Sequence, residues 1–298
     1  MKKLKMIAGL LASVTVLNGS LKVSGEEYFE TLKYVVCDDK VIITGFIGNP
    51  EKIVIPGKID GKDVTEIREN AFYKCESIRE IDIPDTVEVI GHHAFFQCSL
   101  LEKAELSENI TEVSEGCFSE CESLVSVDLP DSLKVIENDS FYNCISLSEA
   151  KFPSELESIG EDAFSGCESL KNIALGKKIA TIGDYAFLGC EGLERVYVPD
   201  NVVNMGIYCF GYGEDLKRAN YDLVISGGEN SLGKLYAENN NIFYENTESY
   251  KTQKNISPIP GVMIIFSVLG LLFLKMLKKI KLFEKNTDAN ARVPMNIH

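Results

Sequence analysis

The sequence predicts a solenoid of parallel β coils, mainly β with short helical turns, with an N-terminal hairpin cap, a C-terminal helical cap and one transmembrane helix. Three observations predict it. Phenylalanine recurs every 23 residues, at Phe72, Phe95, Phe118, Phe141, Phe164, Phe187 and Phe210. Five other apolar columns keep phase with those rings through the seven copies. Two further apolar stretches, each flanked by lysines, stand outside the repeat, one near each end. Self-similarity at a fixed period of roughly 20–50 residues marks stacked repeat architectures, so the repeat is read before anything else.

In chain order, residues 1–25 come first. Lys2, Lys3 and Lys5 precede an apolar run from Met6 to Leu17, and small and polar residues follow. That three-part order is a secretory signal, too short for a lasting membrane span. Val23-Ser24-Gly25 puts the cut before Glu26, with Ser20 as a second option. Residues 26–50 form the N-terminal cap, a hairpin with Asp38-Asp39 near its turn and apolar residues alternating beside it.

Residues 51–222 hold the seven repeats. The columns run from Ile67 to Met205 five before each Phe and from Val64 to Val202 eight before it. Three more follow it: Ile78 to Leu216 at six, Ile81 to Ala219 at nine, and Ile83 to Tyr221 at eleven. The stretch from six to eleven reads L-x-x-I-x-L, a short strand with one buried face. Pro84, Pro130, Pro153 and Pro199 stop the strand, with Gly176 standing in once, because proline cannot continue a ladder. One strand per 23 residues without hairpin turns pairs only by stacking coil on coil in parallel. At about 4.8 Å per strand, seven coils extend about 34 Å. No coil buries its own face, so stability comes from neighbours.

The last copy decays, with Met205, Cys209 and Gly213 in place of the usual Ile, small residue and Cys. Residues 223–245 form the C-terminal cap: Ser231 to Asn240 reads as a short helix begun by a Ser cap, followed by Ile242-Phe243. Residues 246–255 are a polar stalk. Residues 256–277 are the transmembrane helix. Ile256 to Leu274 carries no charge for 19 residues, near the roughly 20 that cross about 30 Å of hydrocarbon. Pro258 and Pro260 sit at its start, where a helix tolerates them. Lys275, Lys278, Lys279 and Lys281 follow, placing the tail, 278–298, in the cytoplasm and the large N-terminal part outside.

The whole chain has a net charge of −15. Without 1–25 and 256–298, the exterior residues 26–255 carry 43 acids against 20 bases, a net of −23. Such a surface repels nucleic acid and anionic membranes.

The run AFYKCESIREIDIPDTVEVIGHHAF, and its repetition as AFSGCESLKNIALGKKIATIGDYAF, resembles the BspA-like leucine-rich repeat of microbial surface proteins. The opening IVIPGKIDGKDVTEI and closing SLGKLYAENNNIFYE resemble that family's end pieces, so the resemblance covers residues 27–245. It implies a leucine-rich-repeat solenoid on a cell surface that serves adhesion or recognition. The order departs from the general L-x-x-L-x-L-x-x-N/C-x-L repeat. Its Asn/Cys slot holds Thr86, Asn109, Ser132, Glu155, Lys178 and Asn201.

Nine cysteines in a secreted chain raise the question of disulfides. Cys75, Cys98, Cys121, Cys144, Cys167 and Cys190 each lie three after a repeat Phe, while Cys117 and Cys209 stand just before one. Both slots demand a small apolar residue, so these thiols are read as free and packed. In-register stacking brings neighbours close, but with side chains pointing alike, against disulfide geometry. Occasional bridges stay open as the alternative.

Catalysis finds no foothold. The only histidines are the adjacent pair His92-His93 and His298. No HExxH, GxSxG, Walker or GxGxxG element occurs, so no cofactor or metal is called for. What remains is the exposed strand face. Ten after each Phe stand Asp82, Glu105, Asp128, Lys151, Ala174, Tyr197 and Asn220; eight after stand Glu80, Lys103, Ser126, Glu149, Asn172, Arg195 and Arg218. The face shifts from acidic to mixed and basic. One reading is a solubilising surface. The other is a docking surface for a protein or cell-surface ligand, with Asp82, Glu105, Asp128, Lys151, Arg195, Tyr197 and Arg218 as its candidates. An Asp82, Glu105, Asp128 ladder also offers oxygens of the kind Ca²⁺ takes. Tyr73, Phe96 and Tyr142, one after each Phe, are a possible aromatic patch. Two functions follow: a membrane-anchored binding protein, or a structural coat component without a specific ligand. An enzyme is not expected.

Overall fold

The computed structural model describes residues 32–217 and 220–247, together with the backbone of three N-terminal strands, Thr15–Val16, Gly19–Val23 and Glu26–Glu30. The chain divides into two units, Met1–Thr247 and Glu248–His298, and the second lies outside the described residues. The expected membrane helix, tail and most of the stalk therefore lie outside them, as does most of the signal segment. Gly19–Val23 pairs antiparallel with Glu26–Glu30, so the expected cut before Glu26 falls between two paired strands. Among the described residues, no helix is long and apolar enough to cross a membrane.

The phenylalanine column becomes the spine of the first unit. Successive rings from Phe72 to Phe210 stack nearly parallel, with centroids 5.0 to 5.5 Å apart. That distance is the rise of one strand per coil, and offset-stacked aromatic pairs favour it. All seven rings are fully buried, each contributing about 1.5–3 kcal/mol by burial. The stack also extends past the repeat. Phe46, 26 residues before Phe72, stacks on it at 5.7 Å, and Tyr236, 26 after Phe210, meets it edge-on at 6.1 Å.

Each coil carries two strands, not the one expected. The first face is built from Lys52–Val54, Glu80–Asp82, Lys103–Glu105, Ser126–Asp128, Glu149–Ala150, Asn172–Ala174, Arg195–Tyr197, Val224–Gly227 and Phe243–Asn246. Their neighbours are parallel, in ladders of five and four strands, which makes the unit a parallel-β solenoid of about nine turns. The second face holds two-residue strands such as Val135–Ile136 and Ser158–Ile159, also paired in parallel. Their inward residues are the apolar column five before each Phe. Two residues are too few to show an alternation in sequence.

The turns expected to be helical are not. The residue two before each Phe has positive φ, from 52° to 59°, at Asn70, His93, Gly116, Asp139, Asp162, Tyr185 and Tyr208. Lys74, Gln97, Glu120, Asn143, Gly166 and Gly189, two after, do likewise. Each ring sits between two left-handed residues that fold the backbone sharply around it. The one described helix is Leu232–Asn239, whose N-cap Ser231 accepts the Lys234 amide at 3.1 Å. At the other end, Leu32–Cys37 and Lys40–Phe46 form the hairpin about Asp38-Asp39. Its second strand then pairs in parallel with Lys62–Ile67 of the second face.

The seventh copy is displaced. Val224, Ile225 and Ser226 pair with Arg195, Val196 and Tyr197, six residues beyond the positions a 23-residue count gives. Gly213 gives the loop no Cys-like anchor, and the chain turns on itself through the Gly213 amide to the Lys217 carbonyl at 3.0 Å. Leu216 and Tyr221, expected inside, are 44% and 78% exposed.

Candidate recognition surface

The first face is an array fixed by register. Asp82, Glu105 and Asp128 lie side by side, as do Glu80, Lys103, Ser126 and Glu149 beside them. Their strand partners between these columns (Ile81, Ala104, Val127 and Ala150) point inward and are buried. Strand alternation thus delivers every second side chain to one flat surface.

The acidic start of this face is partly neutralised, which the sequence columns concealed. Lys52 belongs to a first coil that the 23-residue count omitted, and its Nζ lies 2.9 Å from Glu80 Oε2. That lysine holds the Glu80 carboxyl below its ordinary value. Lys103 pairs with Glu105 in its own strand. Asp82 is pushed up by its partial burial and then by Glu105. The Asp82, Glu105 and Asp128 ladder does not converge on a cation: among the described residues, no group of three or more His, Cys, Asp or Glu is arranged to hold a metal.

The basic end is also different from its sequence reading. Arg195 Nη1 donates to Glu245 Oε2 at 2.7 Å, from the ninth strand. Arg218 lies outside the described residues, and Val224 takes its place beside Arg195. Lys151 is exposed next to Glu149–Ala150, and Tyr197 is half-buried in the Arg195–Tyr197 strand. The structure therefore brings Asp82, Glu105 and Asp128 together on one ladder, places Arg195 and Tyr197 on the next, and leaves Lys151 exposed just after its strand, while Arg218 falls outside the described residues. Ser226 and Glu245, missed from the sequence, complete the column of Tyr197.

Elsewhere, Tyr73 stacks on Phe96 at 5.1 Å, with Tyr73 42% exposed and Phe96 half-buried. Two open depressions lie among the described residues. One, of about 340 Å³, is lined on the second face by His92, Glu115, Glu137 and Asn138. His92 Nδ1 lies 3.7 Å from Glu137 Oε2, and partial burial followed by Glu137 raises the Glu112 carboxyl. The other, of about 510 Å³, is lined by Glu168, Glu191, Glu214, Asp215 and Lys217.

The cysteines are all free, and all but Cys37 are buried. Their column does more than fill space. Cys98, Cys121, Cys144, Cys167 and Cys190 each donate Sγ–H to the carbonyl of the Phe 26 residues earlier, at 3.1 to 3.3 Å. The thiol is thus a small apolar group that also satisfies a buried acceptor. Burial pushes the Cys98 and Cys209 thiols up to about 12 and raises Cys117, Cys121, Cys144 and Cys167 well above their ordinary value. Such thiols are poor nucleophiles.

A family model described as the BspA type leucine rich repeat region matches residues 51–167 and 134–248, in six copies. Among solved structures, a leucine rich cell surface protein from Faecalibacterium prausnitzii is 24% identical, with a TM-score of 0.57 over 67% of this chain and 53% of that one. The chain thus spans about half that protein's length. A leucine rich repeat protein of T. pallidum is 26% identical, with a TM-score of 0.45 over 72% of this chain and 95% of the other. One from Bacteroides ovatus is 23% identical, with a TM-score of 0.43 over 67% and 70%. No curated protein matches the chain.

Proposed function

Because the chain belongs to the BspA-type leucine-rich-repeat family, a family of cell-surface repeat proteins, we propose that it is a non-enzymatic, membrane-anchored recognition protein whose first face binds a protein or cell-surface ligand. In this reading residues 1–25 direct export, 256–277 span the membrane and 278–298 stay in the cytoplasm. The hairpin at Leu32–Phe46 and the helix Leu232–Asn239 close the two ends of the core. The observation that carries the reading is the in-register array itself. Asp82, Glu105 and Asp128 on one ladder and Arg195 and Tyr197 on the next stand away from the buried columns, with Lys151 exposed just after Glu149–Ala150. An extended surface of fixed polar groups suits a macromolecular partner better than a small molecule, which prefers a concave, mostly apolar site.

The test has two arms on the full chain. Displayed on cells, it should bind a protein or cell-surface ligand saturably, and Asp128→Lys with Lys151→Glu should weaken that binding without changing folding. Unsaturable or unaltered binding removes the recognition reading and leaves the coat component. For anchoring, alkaline extraction should leave the chain in the membrane fraction, with only the exterior part open to added protease.

A further inference from the structure

The first-face strands do not form one sheet. Five, from Lys52–Val54 to Glu149–Ala150, make one ladder, and four, from Asn172–Ala174 to Phe243–Asn246, make another. No bridge joins Glu149–Ala150 to Asn172–Ala174. The carbonyls at the heads of the strands mark the same break. Those of Arg79, Glu102, Val125, Lys171 and Glu194 each accept an amide of the next coil, whereas among the described residues Ser148, their counterpart, accepts none. Across the same coils the other side is intact. Ile136, Ile159 and Ile182 share one ladder, and Phe141, Phe164 and Phe187 stack at 5.0 and 5.1 Å.

One residue stands out at the break. Of the column eleven after each repeat Phe, the inward members Ile83, Leu106, Leu129, Leu175 and Val198 are aliphatic and Phe152 is aromatic, while Tyr221 of the displaced seventh copy is exposed. Its ring leans toward the following coils and packs edge-on against Phe164 at 5.3 Å and Phe187 at 6.3 Å. Interiors packed like crystals have no slack for a larger side chain, so backbone moves to admit it. Solvent reach agrees: Ala150 is 9% exposed, while Ile81, Ala104, Val127, Ile173 and Val196 of its column are between 0% and 3%.

We propose that Phe152 is a wedge that divides the first face into two panels, which pivot about the intact second face between the coils of Phe141 and Phe164. The pivot opens the strand backbone at Glu149–Ala150 and Asn172–Ala174 and leaves the ring stack closed. It does not require that the face bind anything. Where the face does bind, the panels follow a partner's curvature without unfolding a coil.

Hydrogen exchange of the full chain, read by mass spectrometry, tests this. The Asn172–Ala174 amides should exchange at least about tenfold faster than those of Lys103–Glu105 and Arg195–Tyr197. Phe152→Leu, which installs the residue found at Leu106, Leu129 and Leu175, should slow them to the level of their neighbours. Equal protection of the three segments in the natural chain overturns the seam. Fast exchange that Phe152→Leu leaves unchanged overturns the wedge. Neither outcome depends on the ligand-binding arm above, which stands or falls on Asp128 and Lys151.

Discussion

The Tyr236 hydroxyl accepts the Phe210 amide at 3.0 Å and donates to the Phe210 carbonyl at 3.1 Å. Earlier coils make the same two bonds by other means. The Phe187 amide donates to the Cys209 carbonyl, and the Phe164 carbonyl accepts the Cys190 thiol. At the last ring no further Cys-bearing coil follows, and one tyrosine supplies both partners.

Tyr236→Phe should therefore leave the edge-on ring contact in place and strip two backbone groups of their partners. Each unmade bond at a part-buried site costs about 1–3 kcal/mol. A solenoid transmits such losses mainly to its neighbours. Urea unfolding should show a loss of about 2 kcal/mol or more, with the Phe210 amide exchanging faster and that of Phe118 unchanged. A midpoint equal to that of the natural chain would show that the hydroxyl is dispensable.

What could be read from the sequence followed from period alone. Seven rings at one spacing announce a stacked core, and the in-phase columns assign inward and outward faces from Ile78 to Val198. The departures occur where the period slips. Phe46 and Tyr236 sit 26 residues from their neighbours in the stack instead of 23, so counting by 23 passes over them. The loop about Gly213 shifts the strand from Arg218 to Val224, which no repeat count anticipates. Lys52 was missed as a member of the polar array because its coil holds no repeat Phe.

A glycine column was equally present in the sequence and has a steric cause. Four before Phe95, Phe164, Phe187 and Phe210 stand Gly91, Gly160, Gly183 and Gly206, whereas the other three copies carry Arg68, Ser114 and Glu137. At Gly183 an added Cβ would lie 2.5 Å from the Glu161 amide nitrogen and the Gly160 carbonyl carbon, both backbone atoms. Gly183→Ala must push two coils apart on the second face, at a cost of about 1–3 kcal/mol. Calorimetry should register the loss, and the Thr181–Ile182 amides should exchange faster. An unchanged transition would mean that the coils slide without penalty.

The left-handed column predicts the opposite sign. Lys74 has φ 56°, while Gly166 and Gly189 occupy the same slot in later coils. A side chain there costs roughly 1–2 kcal/mol relative to glycine. Lys74→Gly removes that strain and also gives up the ammonium 5.2 Å from the Tyr73 ring centroid, a contact worth about 0.5–1 kcal/mol at an exposed site. The balance is a gain of about 0.5 kcal/mol, visible as a higher urea midpoint. A lower midpoint would show that the cation–ring contact outweighs the backbone.

The buried thiols fix how stability depends on pH. Burial raises Cys98 and Cys209 from 9.0 to about 12 in the folded chain. Above about pH 9 the unfolded chain sheds these protons while the folded chain keeps them, so folding becomes less favourable as pH rises. Below pH 9 both states are protonated and the contribution is fully present; it is lost between about 9 and 12. Each of the two thiols removes up to about 1.4 kcal/mol per pH unit within that window. Urea midpoints should be nearly level from pH 7 to 8.5 and fall steeply from 9.5 to 11. Cys98→Ser keeps a donor for the Phe72 carbonyl but does not titrate there, so its decline should be shallower than that of the natural chain. At pH 8 a maleimide should label Cys37 alone until the chain is unfolded, because Cys37 is the one exposed thiol among the nine. A midpoint that stays level to pH 10.5, or rapid labelling of several thiols in the folded state, would mean that the column is open to water.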